Sequence, residues 1–362
     1  MFSFFLKKLT YSALVILGVL TVVFLLFNIL PGDPARMMLD QQENSEQLEL
    51  VRKKYGFNLP VWQQYLYYLN DVSPLAWHQN VSPEKLNYEA VGKYTILVRS
   101  YTEGKGIAIK APYLRESFQK SGKKVSSIIA DTFPNTAVLA LAAITFAFVV
   151  GILLGLVSAL FKDQWIDRLL GVVSVLGMSL PSFFSAILIA WIFGYLLSEY
   201  TGLNMTGSWK SIDDFGESIS IEWRNLILPA FTLGIRPLAV IIQLTRSSML
   251  EVLHQDYVRT AISKGLSKPR MLFKHALQNT LNPVITATSG WFASMLAGAV
   301  FVEYIFGWNG MGKQVVEALN QLDLPVVTGM VIVIAVIFVV INLSVDAIYG
   351  WVDPRIRISK SK

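Results

Sequence analysis

The sequence predicts an all-α integral membrane protein with six transmembrane helices. A long external loop separates the first two, and a helical cytoplasmic segment lies between the fourth and fifth. Three observations carry that expectation. Of 362 residues, 53% are hydrophobic and only 15% are charged, with a mean hydropathy of +0.49; an ordinary soluble domain carries roughly 25% charged residues. The apolar residues come in long charge-free runs rather than in amphipathic stripes. Lysine and arginine concentrate in alternate connecting loops. A soluble enzyme, a disordered scaffold and a disulfide-stapled secreted domain are all disfavoured. The chain has no cysteine, which excludes thiol catalysis and zinc–thiolate or iron–sulfur sites.

A membrane-crossing helix needs about 20 mostly apolar residues. Six stretches qualify: Leu9–Leu30, Thr132–Phe161, Leu169–Ser198, Asn225–Thr245, Thr280–Val302 and Leu324–Val345. The first follows Lys7 and Lys8, as a secretory signal would, but its apolar core is too long and lacks a small-x-small cleavage site. It reads as a retained anchor. The fourth carries one charge, Arg236.

Orientation follows from the short loops, because cytoplasmic loops retain Lys and Arg. Lys7, Lys8, Lys162, Arg168, the cluster from Arg246 to Lys274 and the tail residues Arg355 to Lys362 fall on one side. Lys210, Arg224 and Lys313 fall on the other. Both termini are therefore expected in the cytoplasm. The formal charge of +6 is an insertion signal facing lipid headgroups, not a nucleic-acid footprint. Four regions follow: residues 1–30, an external loop or subdomain over 31–131, a membrane core over 132–350 and a cytoplasmic tail over 351–362. Within the external region, Pro60 is placed to open a short amphipathic helix ending near Leu69.

Candidate chemistry is sparse. His78, His254 and His275 have no metal-ligand spacing. The run Gly307-Trp-Asn-Gly-Met-Gly312-Lys313-Gln314 imitates a phosphate loop. Gln314 replaces the Ser or Thr that holds magnesium, and a membrane span precedes it where a strand is required. It reads as a glycine-rich turn with Trp308 at the membrane interface. No catalytic, cofactor-binding or metal residues are assigned; if the chain moves a solute, the energy comes from a gradient or from a partner. A gradient-driven carrier places ionisable groups in its spans, and these spans hold almost none.

Between spans four and five, Arg246 to Gly265 is good helix material, with Leu250, Leu253, Tyr257 and Ala261 on one face. Gly265 suits a left-handed helix end. Pro269 suits the first turn of a second helix running to about Asn279. The helices over about 249–279 read either as an amphipathic element on the headgroups or as a docking surface for a cytoplasmic protein.

At this point the sequence resembles a known family. Asp256-Tyr-Val-Arg-Thr-Ala-Ile-Ser-Lys-Gly265-Leu, followed by His275-Ala-Leu-Gln-Asn-Thr-Leu-Asn-Pro283, is similar to the coupling motif of ABC importer permeases, within the dipeptide/oligopeptide/nickel branch. Asn28-Ile-Leu-Pro-Gly-Asp-Pro34, Arg246-Ser-Ser-Met-Leu-Glu-Val, Val302-Glu-Tyr-Ile-Phe-Gly-Trp-Asn-Gly-Met-Gly312 and Asp353-Pro-Arg-Ile-Arg357 match as well. Residues 77–123 stand outside the likeness. The general superfamily pattern has Glu-Ala-Ala where this chain has Arg259, Thr260 and Ala261, and Pro where it has Gln278; the peptide branch tolerates both changes.

The resemblance implies that Asp256, Tyr257, Arg259, Thr260, Ala261 and Gly265 seat in a groove of an ATP-binding subunit. It implies a second homologous permease, two cytoplasmic ATPases carrying ATP and magnesium, and an external substrate-binding protein. Peptides are the expected cargo, with nickel complexes or other small solutes as the alternative. An ion-coupled secondary carrier and a membrane-anchored assembly protein are the readings from other classes. Arg236 lies ten residues before Arg246, roughly 15 Å into a ~30 Å hydrocarbon core. Either it pairs with a carbonyl or carboxylate inside the bundle, or it lines the pathway and meets the carboxylate of a passing peptide.

Overall fold

The computed structural model describes residues 2–29, 45–55, 57–79, 96–102, 105–120, 122–212 and 219–352. The Asn28–Pro34 motif beyond Ile29, the tail motif Asp353–Arg357 and part of 77–123 lie outside them. The chain is predominantly helical. Its first part holds α1 (Phe2–Ile29), α2 (Ser45–Tyr55), α3 (Val61–Val72), β1 (Leu75–Gln79), β2 (Ile96–Thr102) and β3 (Lys105–Lys110). Then come α4 (Val125–Leu160), α5 (Trp165–Ser179), α6 (Ser182–Trp191), α7 (Ser198–Thr201), and the hairpin β4 (Lys210–Ile212) and β5 (Ile219–Ile221). The remainder is α8 (Arg224–Leu253), α9 (Asp256–Ser263), α10 (Lys268–Met271), α11 (Leu277–Gly298), α12 (Val300–Ile305), α13 (Met311–Asn320) and α14 (Leu324–Val352). The five short strands correct the all-α expectation.

Two compact units emerge. One comprises residues 1–131 with 314–336, the other residues 132–313 with 337–362. In the first, Pro60 stands immediately before α3, extended at ψ 143°, one position ahead of the first turn expected of it; the ring fixes its φ. α3 lies on α1: the Thr21 and Tyr65 hydroxyls are 2.7 Å apart, and the Phe24 ring sits 5.1 Å from Tyr65 and 5.5 Å from Tyr68. Leu20, Phe24, Tyr68 and Ile332 form the buried cluster. The antiparallel sheet has the order β1–β3–β2, with Leu75 opposite Ile109. Buried Lys110 donates from Nζ to the Asp71 carbonyl at 2.6 Å. The Asp323 carboxylate, at the start of α14, accepts from the Ser117 hydroxyl and the Phe118 amide. A cavity of about 100 Å³ lined by Phe24, Tyr68, Tyr113 and Ile332 lies between α1, α3 and α14. The Tyr68 hydroxyl is buried there without a hydrogen-bond partner, and burial pushes its ionisation above the usual phenol range.

The second unit is built on α4 and α8. An added Cβ at Gly151 would lie 2.6 Å from the Ile241 side chain, and one at Gly155 would lie 2.5 Å from Thr245. The two glycines, four residues apart, let the helices approach as small residues do in membrane bundles. Leu139, Ala140 and Ala143 of α4 meet Ala186, Ile189, Leu228, Leu233, Met295 and Leu296 in the main core.

Three of the described helices, Val125–Leu160, Arg224–Leu253 and Leu324–Val345, are long and apolar enough to cross a membrane; a bent pair makes a fourth. That pair is the expected third span. It does not run straight: Trp165–Ser179 and Ser182–Leu196 meet at 110°. Pro181 offers no amide to continue the ladder and pushes the residue before it out of the helical region, and Leu180 is extended at ψ 132°. α1 contributes a shorter apolar stretch, Thr10–Leu26. α11 is loaded with Gln278, Asn279, Thr280, Asn282, Thr286 and Thr288, and at Ala299 it gives way to α12.

Candidate functional site

The segment between α8 and α11 forms a knob whose details differ from the expected pair of helices. The first helix is not continuous from Arg246. α8 ends at Leu253, Gln255 is extended at ψ 147°, and α9 starts anew at Asp256. The break resets the helical phase, so the buried residue is Val258, at 0% exposure, rather than Tyr257. Val258 packs with Ala159, Met249, Met271 and Ala276, and Ala261 lies against that cluster. The expected second helix does not stop near Asn279; α10 passes through a π-helical turn, Leu272–Ala276, straight into α11. Tyr257 remains attached, its hydroxyl accepting from Asn279 Nδ2 at 2.7 Å.

Asp256, Arg259 and Thr260 face outward. The side chains of Asp256 and Arg259 are 98% and 71% exposed and lie 3.8 Å apart, a separation worth little at such a surface. Thr260 turns its hydroxyl back to the Asp256 carbonyl at 2.9 Å. Gly265 follows at φ 78°, a conformation that penalises any residue bearing a Cβ. Its amide donates to Ile262 at 2.9 Å, and Leu266 donates to Ala261 at 3.3 Å. An added Cβ at Gly265 meets nothing within 4 Å. The left-handed turn therefore sits at the rim of an open face made by the outer side of α9.

Arg236 lies in the middle of α8, which runs through Pro229 and Pro237 without a break. It is exposed and makes no hydrogen bond or ion pair with any described residue. Among the described residues, neither a carbonyl freed by Pro237 nor a carboxylate holds it.

The glycine-rich turn is placed otherwise than expected. Trp308 is wholly buried rather than at a membrane interface, and its indole donates to the Asn135 carbonyl at 2.9 Å. Asn135 Nδ2 donates back to the Asn309 carbonyl at 2.6 Å, and the Met311 amide donates to Thr136 Oγ1 at 2.8 Å. The loop is thus stitched to α4. Its amides at Gly312 and Lys313, the groups that would cradle a phosphate, donate to the buried carboxylate of Glu303 at 2.7 and 3.3 Å. Lys313 Nζ is held by Asn309 Oδ1 at 3.0 Å. An anion would have to displace the chain's own carboxylate, so this turn is no phosphate site. Among the described residues no group of three or more His, Cys, Asp or Glu side chains is gathered to hold a metal ion.

Long apolar helices, a glycine-paired helix couple and an exposed helical knob are the features of an integral membrane protein. Residues 151–358 match the family described as binding-protein-dependent transport system inner membrane component, and residues 1–93 match its N-terminal region. The chain belongs to that family: it is an inner-membrane permease subunit of an ABC importer. It is 32% identical to the dipeptide transport system permease protein DppB of Alkalihalophilus pseudofirmus, over 99% of this chain and 100% of that one. It is 35% identical to DppB of Haemophilus influenzae over the same shares. It is 33% identical to the oligopeptide transport system permease protein AppB of Bacillus subtilis, again over 99% and 100%.

Proposed function

We propose that this chain forms half of the translocation pathway of an ATP-driven peptide importer. In this reading the backbone crosses the membrane six times with both termini in the cytoplasm. α1, the bent α5–α6 pair and the polar α11 complete the set begun by α4, α8 and α14. A second, homologous permease supplies the other half. Two ATPase subunits hydrolyse ATP, and an external binding protein delivers cargo. The observation that carries the proposal is the end-to-end likeness to three permeases whose names specify dipeptide or oligopeptide transport.

The open face of α9 supports the docking part. Val258 anchors the helix from beneath while Asp256, Arg259, Thr260 and Gly265 remain uncovered, as a surface awaiting a partner groove requires. Arg236, exposed and unpaired at a depth where an arginine costs at least about 2.5–3.5 kcal/mol on insertion scales, supports a place along the solute path. There it would offer a charge to a peptide carboxylate.

Purification of the tagged chain from native membranes tests the reading. The expected result is co-purification of two ATPase subunits and a second permease, with ATP-dependent uptake of dipeptides when the binding protein is added to proteoliposomes. Transport by the chain alone down an ion gradient would refute it. Uptake of nickel complexes but not peptides would refute the cargo.

A further inference from the structure

The turn between α4 and α5 is held by one carboxylate. Asp167, in the first turn of α5, is 6% exposed and receives four hydrogen bonds. Arg246 of α8 grips it with a two-pronged fork, Nε to Oδ1 at 2.6 Å and Nη2 to Oδ2 at 2.7 Å. Ser158, near the end of α4, donates to Oδ1 at 2.6 Å, and the amide of Asp163 donates to Oδ2 at 2.9 Å. Asp163 is itself left-handed, at φ 65°. Every bond is charge-assisted and short. Next to Ser158 stands Ala159, which with Met249 of α8 is in the apolar seat of Val258. The seat of α9 and the Asp167 clamp therefore share the last turn of α4 and the last turns of α8.

A buried ion pair is weak evidence for stability, because packed apolar residues often serve as well. What the fork supplies is geometric: two parallel bonds fix distance and angle between α5 and α8 together. We propose that Asp167 and Arg246 are the positioning residues of energy coupling. They join the α4–α5 turn, the start of α5 and the end of α8 into one rigid body beneath α9. A push on α9 then moves α5 and α8 as a unit instead of being absorbed in the turn. This rests on the reading that α9 docks on an ATPase subunit.

The test uses the complete importer in proteoliposomes, with ATP hydrolysis and peptide uptake measured in the same vesicles. Asp167→Asn removes the charge; Arg246→Lys keeps the charge and removes the fork. Leu139→Ala, in the main core away from the clamp, is the control for lost stability. Both clamp variants should assemble with their ATPases and hydrolyse ATP. The ATP consumed per peptide delivered should rise about fivefold or more, the lower end of ordinary site-to-site coupling. Leu139→Ala should lower Tm and leave that ratio as in wild type. An unchanged ratio in Arg246→Lys overturns the proposal, as does an equal rise in Leu139→Ala. If neither clamp variant accumulates, the clamp is a folding element and the proposal also falls. Failure of the wild-type complex to retain ATPase subunits would instead overturn the docking reading, and it is visible before any variant is made.

Discussion

Gly265 separates two reasons why the turn after α9 would matter. Its φ of 78° is left-handed, and an added Cβ meets nothing within 4 Å. A substitution there has no clash inside the chain, so its internal cost is conformational, about 1–2 kcal/mol for a Cβ-bearing residue and less for Asn, which tolerates this region. Two weak turn hydrogen bonds are at stake, and Val258 still anchors the helix, so insertion and accumulation should survive. If strain were all that mattered, Gly265→Asn would be milder than Gly265→Ala. If the turn seats in a partner groove, side-chain size decides and the order reverses. ATP-dependent uptake into proteoliposomes should therefore be partly retained by Gly265→Ala. It should fall about tenfold or more, equivalent to 1.4 kcal/mol, in Gly265→Asn and Gly265→Asp. The external binding protein should still dock to all three. Normal transport by Gly265→Asp, better transport by Gly265→Asn than by Gly265→Ala, or loss that merely tracks degradation would refute the docking argument.

Four further outcomes are expected. Since the chain has no cysteine, an impermeant maleimide applied to intact spheroplasts should label Ser82→Cys and Gly216→Cys and spare Gln255→Cys and Ser359→Cys; labelling at Gln255 would invert the orientation. Trp308→Phe strips a donor from the buried Asn135 carbonyl and should destabilise the chain by about 1–3 kcal/mol. Trp308→Ala should cost about 3–5 kcal/mol, both read as a lower Tm of the purified complex, and an unmoved Tm in Trp308→Ala would contradict the burial. Tyr68→Phe removes a hydroxyl that is buried without a partner and should hold or raise stability by about 1 kcal/mol; a fall in Tm would mean that the hydroxyl is bonded. Arg236→Gln should leave Tm unchanged and reduce uptake of peptides with a free C-terminus more than uptake of amidated ones, and equal loss for both would remove Arg236 from the pathway.

What the sequence made legible was whatever depends on a residue and its near neighbours. Pro60, Gly265 and the apolar runs of α4, α8 and α14 all belong to that group. Hydropathy sums could not register the bend at Leu180–Pro181, because adding side-chain contributions ignores the direction of the backbone; Pro181 itself was the available signal. Grouping Tyr257 on one face with Leu250 and Leu253 carries the phase of α8 through His254 and Gln255. One extended residue was enough to shift burial to Val258. Trp308 obeyed no interfacial preference, since its fate was decided by Asn135 and Thr136, far earlier in the chain. Asp167 offered the faintest trace, one of two acids between Lys162 and Arg168 and the one that falls in the first turn of α5. Its two-pronged partner comes from a different helix.

The glycines at 151 and 155 bear on how the protein is made. Their partners, Ile241 and Thr245, lie in α8, which leaves the ribosome well after α4, with α5, α6 and the β4–β5 hairpin synthesised between. Until α8 arrives, α4 presents its bare glycine stripe to lipid, or to whatever insertion factor shields it. A nascent chain arrested before α8 should therefore stay in the custody of the insertion machinery and be cleared by membrane proteases. One arrested just after Leu253 should be released and persist, because the two helices can then close on each other.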